Sequence, residues 1–412
     1  MPSDINHLSI GGDFIVTEAV YNFGAGERTL CEYFWRGVGG HLRIVETGAG
    51  GVTWGISSDS HVYTYTGASG GGIYKGNACD PDIYLMSDIK NFHVWENQRW
   101  NPLTGFTYRG LPTDRKTWSD QSGRYEISKA STKLPSRHWQ WMTVFRLGTW
   151  VVDHHTPNGV DKDGWQYATD FPMSYHSHRY VTDLVRRRRW VRRCRISTSG
   201  PWKQMEKVAL ISVSISPQYT EDGTVPVWGI SVSHEVVMRE GVTLQCPRGN
   251  RWCLIPSETP MNFICASIEG GIWAVSVNGQ AHVRIGVSRS NPKGYDWVNV
   301  DAPNVPLKQI GAGNWKVWAI DRDGALYYRV NVQPLFPEGT DWQLVTDGVE
   351  SISVGTDGSL TAVLHSYSQG IGESLGVIAR RKGVSQENPG GTGWDICSGT
   401  RWTHVSARNP IL

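Results

Sequence analysis

The 412-residue sequence lacks the features of a secreted or membrane-spanning protein. Its seven cysteines form no CxxC pair and no Asn-x-Ser/Thr acceptor occurs, which favours reduced thiols over a disulfide framework. No apolar run approaches the roughly 18 residues of a membrane-spanning helix. The start, MPSDINHLSIGGD, has neither the basic nor the apolar segment of a signal peptide. We therefore expect a cytoplasmic protein whose membrane contacts are peripheral.

Catalytic and nucleic-acid-binding signatures are also missing. The formal net charge is +2 and charged residues make up 19% of the chain, so no global field would attract nucleic acid. Neither GxSxG nor GxxxxGK[ST] occurs, and the Gly-rich residues 67–76 lack the following helix that phosphate binding needs. We expect no enzyme activity, no cofactor and no nucleic-acid partner.

The acidic and histidine-rich segments do not form a metal-site pattern. Residues 153–155 and 176–178 supply histidines, but their spacing matches no zinc template and no cysteine lies near. Residues 161–164 and 321–324 read Asp-x-Asp-Gly, but neither has the glutamate six positions after the glycine that an EF-hand loop needs. Because Asp-Gly is common in hairpin turns, we interpret both as turns and expect no metal.

The chain is rich instead in tryptophan and glycine, with 20 and 47 residues, and part of this richness is periodic. Six positions recur at an interval of 45 residues, a strong indication of a repeat protein. They are Trp228, Trp273 and Trp318; Arg239, Arg284 and Arg329; Val242, Val287 and Val332; Pro247, Pro292 and Pro337; Gly249, Gly294 and Gly339; and Trp252, Trp297 and Trp342. A further copy follows 52 residues on, its extra seven residues lying in HSYSQGIGESLG.

Each copy alternates apolar and polar residues between Gly, Pro and Asn turns, which predicts three to four short strands. Such a unit in about 45 residues is typical of one β-propeller blade. A weaker copy surrounds Trp54, and residues 7–40 suggest one more degenerate blade. The sequence therefore predicts an all-β protein with a propeller of five to six blades, six being preferred.

The repeat disappears between residues 92 and 204, where nine tryptophans and half of the arginines are concentrated. A composition change of this size indicates a separate domain. We predict three regions: residues 1–91 with degenerate blades, residues 92–204 as an inserted domain, and residues 205–412 with the regular blades.

The insert resembles a dysferlin domain. The motifs that carry the resemblance are ENQRWNPLTGF (96–106), WSD (118–120), LPSRHWQW (134–141), WVVD (150–153), DGWQYATDFP (163–172) and VRRRRWVRR (185–193). The resemblance implies a β-sandwich-like fold. Joined to repeats of this kind, it makes the chain similar to the carboxy-terminal half of the tectonin β-propeller repeat-containing protein 1 family.

This family resemblance implies a role in autophagy. Members sit on lysosomal or autophagosomal membranes and connect membrane lipid, sphingomyelin or phosphoinositide, to the machinery that conjugates ubiquitin-like proteins to lipid. The segment that binds this machinery lies between the two halves in the family, and nothing in the present sequence resembles it. The resemblance therefore implies a membrane-tethering adaptor whose contact with that machinery runs through segments absent here.

The run RRRRWVRR has two interpretations. Because successive strand residues face opposite sides, Arg186, Arg188, Trp190 and Arg192 share one face. The favoured interpretation is structural, with guanidinium groups packed on tryptophan rings. The tryptophans expected in this stack are Trp100, Trp139, Trp141, Trp150 and Trp165. The alternative is an anionic-lipid site on the opposite face, which carries Arg187 and Arg189.

The loop that precedes this run is the expected membrane contact by resemblance. An inserting tip needs exposed aromatic or long apolar side chains, and Met173, Tyr175, Tyr180 and Val181 are available. Tyr175 and Tyr180 would also supply two walls of a choline cage. An ordinary solvated loop is the competing interpretation.

A carbohydrate-binding propeller remains an alternative function. Lectin-type sites recur at equivalent blade positions, and the repeated Arg239, Arg284 and Arg329 would face a groove in that case. The repeated Trp228, Trp273 and Trp318 begin apolar runs and are expected to be buried. A scaffold fragment without lipid binding is a further alternative.

Overall fold

The structure is a computed structural model, and it describes most of the chain. The described residues are 6–11, 16–21, 33–66, 82–135, 137–142, 150–171, 173–267, 271–366, 375–385, 387–398 and 402–408. In this part of the chain all regular elements are strands except a 3-10 turn at Ala49–Gly51. The chain divides into two compact units, which are described separately: unit 1 is Met1–Met86 with Thr198–Leu412, and unit 2 is Ser87–Ser197.

Within the described residues, the strands of unit 1 form six four-stranded blades. In chain order these strands are β1 (Asn6–Gly11), β2 (Val16–Tyr21), β3 (Tyr33–Val38), β4 (Ile44–Thr47), β5 (Thr53–Ile56), β6 (His61–Tyr65), β14 (Trp202–Ile215), β15 (Val227–Ser231), β16 (Val236–Glu240), β17 (Arg251–Ile255), β18 (Met261–Ala266), β19 (Ile272–Ser276), β20 (Ala281–Ile285), β21 (Asp296–Val300), β22 (Leu307–Gly313), β23 (Lys316–Asp321), β24 (Leu326–Arg329), β25 (Trp342–Thr346), β26 (Val349–Val354), β27 (Leu360–Ser366), β28 (Leu375–Lys382), β29 (Gly393–Ser398) and β30 (Trp402–Arg408). The predicted propeller is confirmed, with the preferred number of blades.

The ring closes through the two ends of the chain. Strand β30 pairs antiparallel with β1, so the last strand completes a blade begun by the first three. The inner strands β30, β4, β14, β18, β22 and β26 contact one another in this cyclic order. Strand β14 serves two blades, because residues 202–204 pair with β6 and residues 210–215 pair with β15.

The repeated tryptophans hold neighbouring blades together. Trp228, Trp273 and Trp318 are 0% exposed, and each packs against the next blade along the chain. Trp318, for example, contacts a cluster that includes Ile352 and Val354 on β26. Burial of such large side chains contributes about 2–3 kcal/mol each, so the 45-residue period marks contacts between blades as well as strands.

Small polar side chains join the inner strands. Ser212 and Ser214 on β14 accept hydrogen bonds from backbone N–H groups of β18 at 3.3 and 2.9 Å. Gln309 on β22 donates to the Ile352 carbonyl at 2.8 Å and accepts from its N–H at 3.1 Å. These bonds satisfy backbone groups that no neighbouring strand pairs, which is why buried polar residues are tolerated on these strands.

Unit 2 is one hydrogen-bonded sheet built on two long strands. Its strands are β7 (Tyr84–Asn101), β8 (Gly105–Thr107), β9 (Trp118–Ser119), β10 (Gln140–Trp141), β11 (Val151–Val152), β12 (Trp165–Ala168) and β13 (Val185–Gly200). The short strands β12, β11 and β10 pair in succession along β13, while β8 and β9 pair with β7. The expected β-sandwich-like fold thus takes the form of a single sheet around β7 and β13.

The unit boundaries lie five and seven residues before the expected ends of the insert, at Ser87 and Ser197. Composition does not mark them, because β7 and β13 carry the chain across each boundary without a break.

Candidate functional site

The arginine run of β13 is packed on both faces of the strand. On one face, Arg186 lies 3.9 Å and Arg188 lies 4.3 Å from the centre of the Trp165 ring. On the other face, Arg187 lies 4.2 Å from the Trp95 ring and 3.6 Å from the Tyr175 ring. Trp165 comes into reach because it pairs directly with Arg188 in the register of β12 and β13.

Each stacked arginine also has a polar partner. Arg186 donates to Gln98 at 2.6 and 2.8 Å, and Arg187 donates to Gln166 at 3.3 Å. Arg189 pairs with Asp153 at 2.8 Å. Burial lowers the pKa of Arg187 to about 10, so this guanidinium remains charged at neutral pH. The expectation that Arg187 and Arg189 face lipid is therefore corrected, since both are engaged inside unit 2.

Glu96 is the central acid of this network. It is 1% exposed and accepts hydrogen bonds from Arg188 at 2.6 Å, from Trp190 at 2.7 Å and from Tyr108 at 2.7 Å. Burial alone would raise the pKa of its carboxyl, but these three donors hold the pKa below its ordinary value. Glu96 therefore compensates the partly buried positive charge of Arg188 and fixes the orientation of Trp190.

The remaining tryptophans of the expected stack have different surroundings. Arg192 lies 4.0 Å from the Trp141 ring. Trp139 is 2% exposed and packs with Cys194 and Ile196 in an apolar cluster. Trp150 is half-buried directly before β11.

Five exposed large hydrophobic side chains lie at one end of unit 2. We call this the loop end; it consists of the turn at residues 102–104 and the loop at residues 173–184. Leu103 is 93% and Val181 is 101% exposed. Met173, Tyr180 and Leu184 are 57%, 61% and 43% exposed.

The loop end is held in a defined conformation. The Trp100 N–H donates to the Leu184 carbonyl at 2.8 Å, and the Arg179 guanidinium lies 4.4 Å from the Trp100 ring. His176 pairs with the buried Asp183 at 3.2 Å. The loop that carries Val181 is thus held by its contacts with Trp100 on β7 and by the pair of His176 with Asp183. A loop that is already ordered loses less conformational entropy when it binds a partner.

Tyr175 lies apart from these exposed residues. Its side chain is 7% exposed and its ring is covered by Arg187, so the expectation that Tyr175 contacts lipid is corrected. A choline cage built from Tyr175 and Tyr180 is excluded for the same reason. Leu103 was missed from the sequence; the turn motif Asn-Pro-Leu-Thr-Gly that contains it was the available signal.

The repeated arginines of unit 1 do not form a carbohydrate groove. Arg284 and Arg329 are 6% and 3% exposed, and the Nε atom of Arg329 donates to the Glu338 carbonyl at 2.7 Å. The Arg284 guanidinium lies 5.3 Å from the centre of the Trp297 ring, and that of Arg329 lies 5.2 Å from the Trp342 ring. In both pairs the tryptophan is the residue opposite the arginine on the next strand. Arg239 repeats this arrangement with Trp252 at 5.3 Å. These arginines fix the turn after each third strand.

Other kinds of site find little support in the part of the chain that the structure describes. It contains no group of three or more His, Cys, Asp or Glu side chains placed to hold a metal ion. No helix in it is long and apolar enough to cross a membrane. The Asp-x-Asp-Gly segments are turns: the Asp161 carboxylate accepts from the backbone N–H groups of Asp163 and Trp165, and Asp321 does the same for Asp323 and Ala325.

Comparison with known proteins identifies the relatives of the chain. It is 45% identical over 419 aligned residues to the tectonin beta-propeller repeat-containing protein 1 of Mus musculus, an alignment that covers 99% of this chain. The chain belongs to the tectonin β-propeller repeat-containing protein family. The tectonin repeat protein of Gallus gallus is 46% identical over 63% of this chain. The chain spans 35% of the mouse protein and 22% of the chicken protein.

Family models match separate parts of this tectonin repeat chain. A tectonin domain model matches residues 186–306, and a propeller model matches residues 316–345. A model described as an integral peroxisomal membrane peroxin matches residues 80–192, which include most of unit 2. Among solved structures, YCF48 bound to D1 peptide is 14% identical with a TM-score of 0.30, covering 50% of this chain and 62% of that chain. A likeness this weak carries no functional argument.

Proposed function

We propose that this chain is a non-catalytic adaptor that contacts membrane lipid through the loop end of unit 2 and presents its propeller to protein partners. The observation that carries the proposal is the nearly complete exposure of Leu103 and Val181 on two adjoining loops. Transfer of two such side chains from water into the acyl boundary contributes about 3–5 kcal/mol, enough for reversible peripheral binding.

The surroundings of these side chains suit a membrane surface. Tyr180 is 61% exposed and places an amphipathic ring at the level where aromatic side chains prefer the interface. Arg179 and Arg109 are exposed on the same loop and on the segment after β8. Each such charge near an anionic surface contributes about 1 kcal/mol. We infer an apolar insertion supported by a weaker, salt-sensitive attraction.

The relatives support a cellular setting for this contact. The match of residues 80–192 to a family described as a membrane peroxin supports membrane association of unit 2. The dysferlin-domain and tectonin-family resemblances support a role in autophagy at lysosomal or autophagosomal membranes, with sphingomyelin or phosphoinositide as the lipid. In this proposal the autophagy conjugation machinery is reached through other segments of the family's longer proteins.

Flotation of the purified chain with liposomes tests the proposal. Membranes of phosphatidylcholine alone, with sphingomyelin, or with phosphoinositide are compared at low and high salt. We expect flotation of the wild type, and a loss of about 100-fold in partitioning for the double variant Leu103→Asp/Val181→Asp, because two charges replace the inserting side chains. Retention at high salt on sphingomyelin membranes would identify the apolar contact as dominant.

A matched control is Leu335→Asp, which changes a side chain that is 99% exposed in unit 1. It should float like the wild type. Equal flotation of the double variant and the wild type, or no flotation of the wild type on any membrane, would remove the loop end as a lipid site and direct the search to protein partners of the propeller.

A further inference from the structure

An ammonium group of the chain itself lies between two tryptophans in unit 2. Lys129 belongs to the loop that follows β9, and its Nζ atom lies 4.8 Å from the centre of the Trp118 ring and also over the Trp190 ring. Trp118 comes from β9 and Trp190 from β13. Glu96 stands beside both rings, because it pairs with Trp118 in the strand register and accepts a hydrogen bond from Trp190. Two indole faces and a carboxylate are the components of an aromatic cation site.

The site provides no hydrogen-bond acceptor for this ammonium. Among the described residues, Lys129 has no hydrogen bond and no ion pair within 4 Å, while the oxygens of Glu96 accept from Arg188, Trp190 and Tyr108. A lysine ammonium carries three N–H donors, and moving them out of water without an acceptor costs free energy. Burial accordingly lowers the pKa of Lys129 to about 8 despite the nearby Glu96 carboxylate.

A quaternary ammonium group does not incur this cost, because it has no N–H donor to satisfy, while it keeps the attraction to the ring faces. We propose that Trp118, Trp190 and Glu96 form a binding site for a small quaternary ammonium ion, and that Lys129 occupies this site as a tethered competitor. Lys129 thereby keeps the two rings apart. Because a free ligand must displace it, Lys129 raises the ligand concentration at which the site is half occupied.

The site is distinct from the loop end. Glu96 precedes the turn at residues 102–104 by six residues along β7, which corresponds to roughly 20 Å at about 3.3 Å per residue. A headgroup held where Leu103 inserts would not reach this depth in the sheet. A soluble ion of the choline type is therefore the expected ligand, and lipid binding at the loop end and ion binding here can fail independently.

The competition depends on the charge of Lys129. The charged and titratable groups that face it are Glu96 on β7, Arg188 on β13 and Tyr108 after β8. Hydrogen bonds from Arg188, Tyr108 and Trp190 hold the pKa of Glu96 below its ordinary value, whereas the hydrogen bond to Glu96 and burial hold that of Tyr108 above its own. Lys129 is therefore the group that changes charge between pH 7 and 9. As Lys129 loses its proton it becomes a weaker competitor, and binding of a permanently charged ion should strengthen.

Titration of the full chain with tetramethylammonium chloride, followed by tryptophan fluorescence and melting temperature, tests the inference. Ammonium chloride at equal ionic strength is the reference salt. We expect Lys129→Ala to bind tetramethylammonium about tenfold more tightly than the wild type at pH 7. At pH 9 the affinity of the wild type for tetramethylammonium should approach that of Lys129→Ala. Trp118→Leu in the Lys129→Ala background should remove the response.

Lys133→Ala, an exposed lysine of the same loop, is the matched control and should behave like the wild type. Two outcomes would overturn the site: a Lys129→Ala response no larger than that of Lys133→Ala, or equal responses to ammonium and tetramethylammonium. If Lys129→Ala does not fold, the wild-type titration at pH 7 and 9 decides alone, and an unchanged affinity contradicts the competition.

Discussion

The two units of this chain use the same pair of residues, arginine on tryptophan, for different purposes. In four blades of unit 1 an arginine lies beside a tryptophan on the next strand and donates to turn carbonyls, as Arg284 does with Trp297 and the Lys293 carbonyl. In unit 2 consecutive arginines stack on rings and pair with buried side chains such as Glu96 and Gln98. The first arrangement fixes a turn that is repeated, whereas the second fills the interior of a sheet that has few aliphatic residues.

The comparison teaches how to interpret arginine-rich sequence. A run of arginines is often taken as a surface that attracts anions, but in unit 2 aromatic rings of the same unit cover guanidinium groups of the run. Leu103 and Val181, the two side chains that we propose contact the membrane, lie outside the run. The following predictions test this comparison in order of expected effect.

Removal of the acid in unit 2 should have the largest effect. Glu96→Gln leaves the partly buried Arg188 beside a neutral amide and weakens three hydrogen bonds, which should lower the free energy of unfolding by about 2–4 kcal/mol. Urea denaturation followed by tryptophan fluorescence measures this change in the free energy of unfolding. Glu126→Gln, at an exposed position of the same unit, should change the value by less than about 0.5 kcal/mol. Equal behaviour of the two variants would show that the network does not stabilise unit 2.

A smaller effect is expected from the repeated arginine of unit 1. Arg284→Lys keeps the charge but cannot donate to both the Lys293 and Tyr295 carbonyls, so we expect a loss of about 1.5–3 kcal/mol in urea denaturation. Arg251→Lys is the matched control, because its salt bridge to Glu240 is at the surface and should contribute less than about 1 kcal/mol. A loss at Arg284 no larger than at Arg251 would mean that the turn holds without its arginine.

The sequence predicted unit 1 better than unit 2 for a physical reason. A propeller repeats one set of contacts, so the period of Trp228, Trp273 and Trp318 reveals both strands and burial. Unit 2 has no repeat, and its contacts join residues far apart in sequence, such as Arg188 with Glu96. Alternation along β13 indicated which arginines share a face, but only the register with β12 and β7 shows that both faces are covered.

The candidate site shows the same limit. Exposure of Val181 followed from its place in a loop, whereas the burial of Tyr175 in the same loop depends on Arg187 reaching across from β13. Leu103 could be placed in a turn, but its neighbourhood with Val181 depends on the bond from Trp100 to Leu184, which no local pattern encodes.

The smallest effect should come from a buried histidine of unit 1. His282 is 6% exposed, its Nε2 atom has no hydrogen-bond partner, and burial lowers its pKa. Above its ordinary pKa of about 6.5 the imidazole is neutral in both states, so stability is unaffected. As pH falls below that value the unfolded chain takes up a proton that the folded chain resists, and the free energy of unfolding decreases.

Urea denaturation at pH 7 and pH 5.5 measures this decrease in the free energy of unfolding. We expect the decrease to be about 1 kcal/mol smaller in His282→Gln than in the wild type. The exposed His155→Gln should leave the loss unchanged. If His282→Gln keeps the full pH dependence, the acid sensitivity lies elsewhere, and the first place to look is His93 in unit 2, whose pKa is lowered by burial and by Arg189.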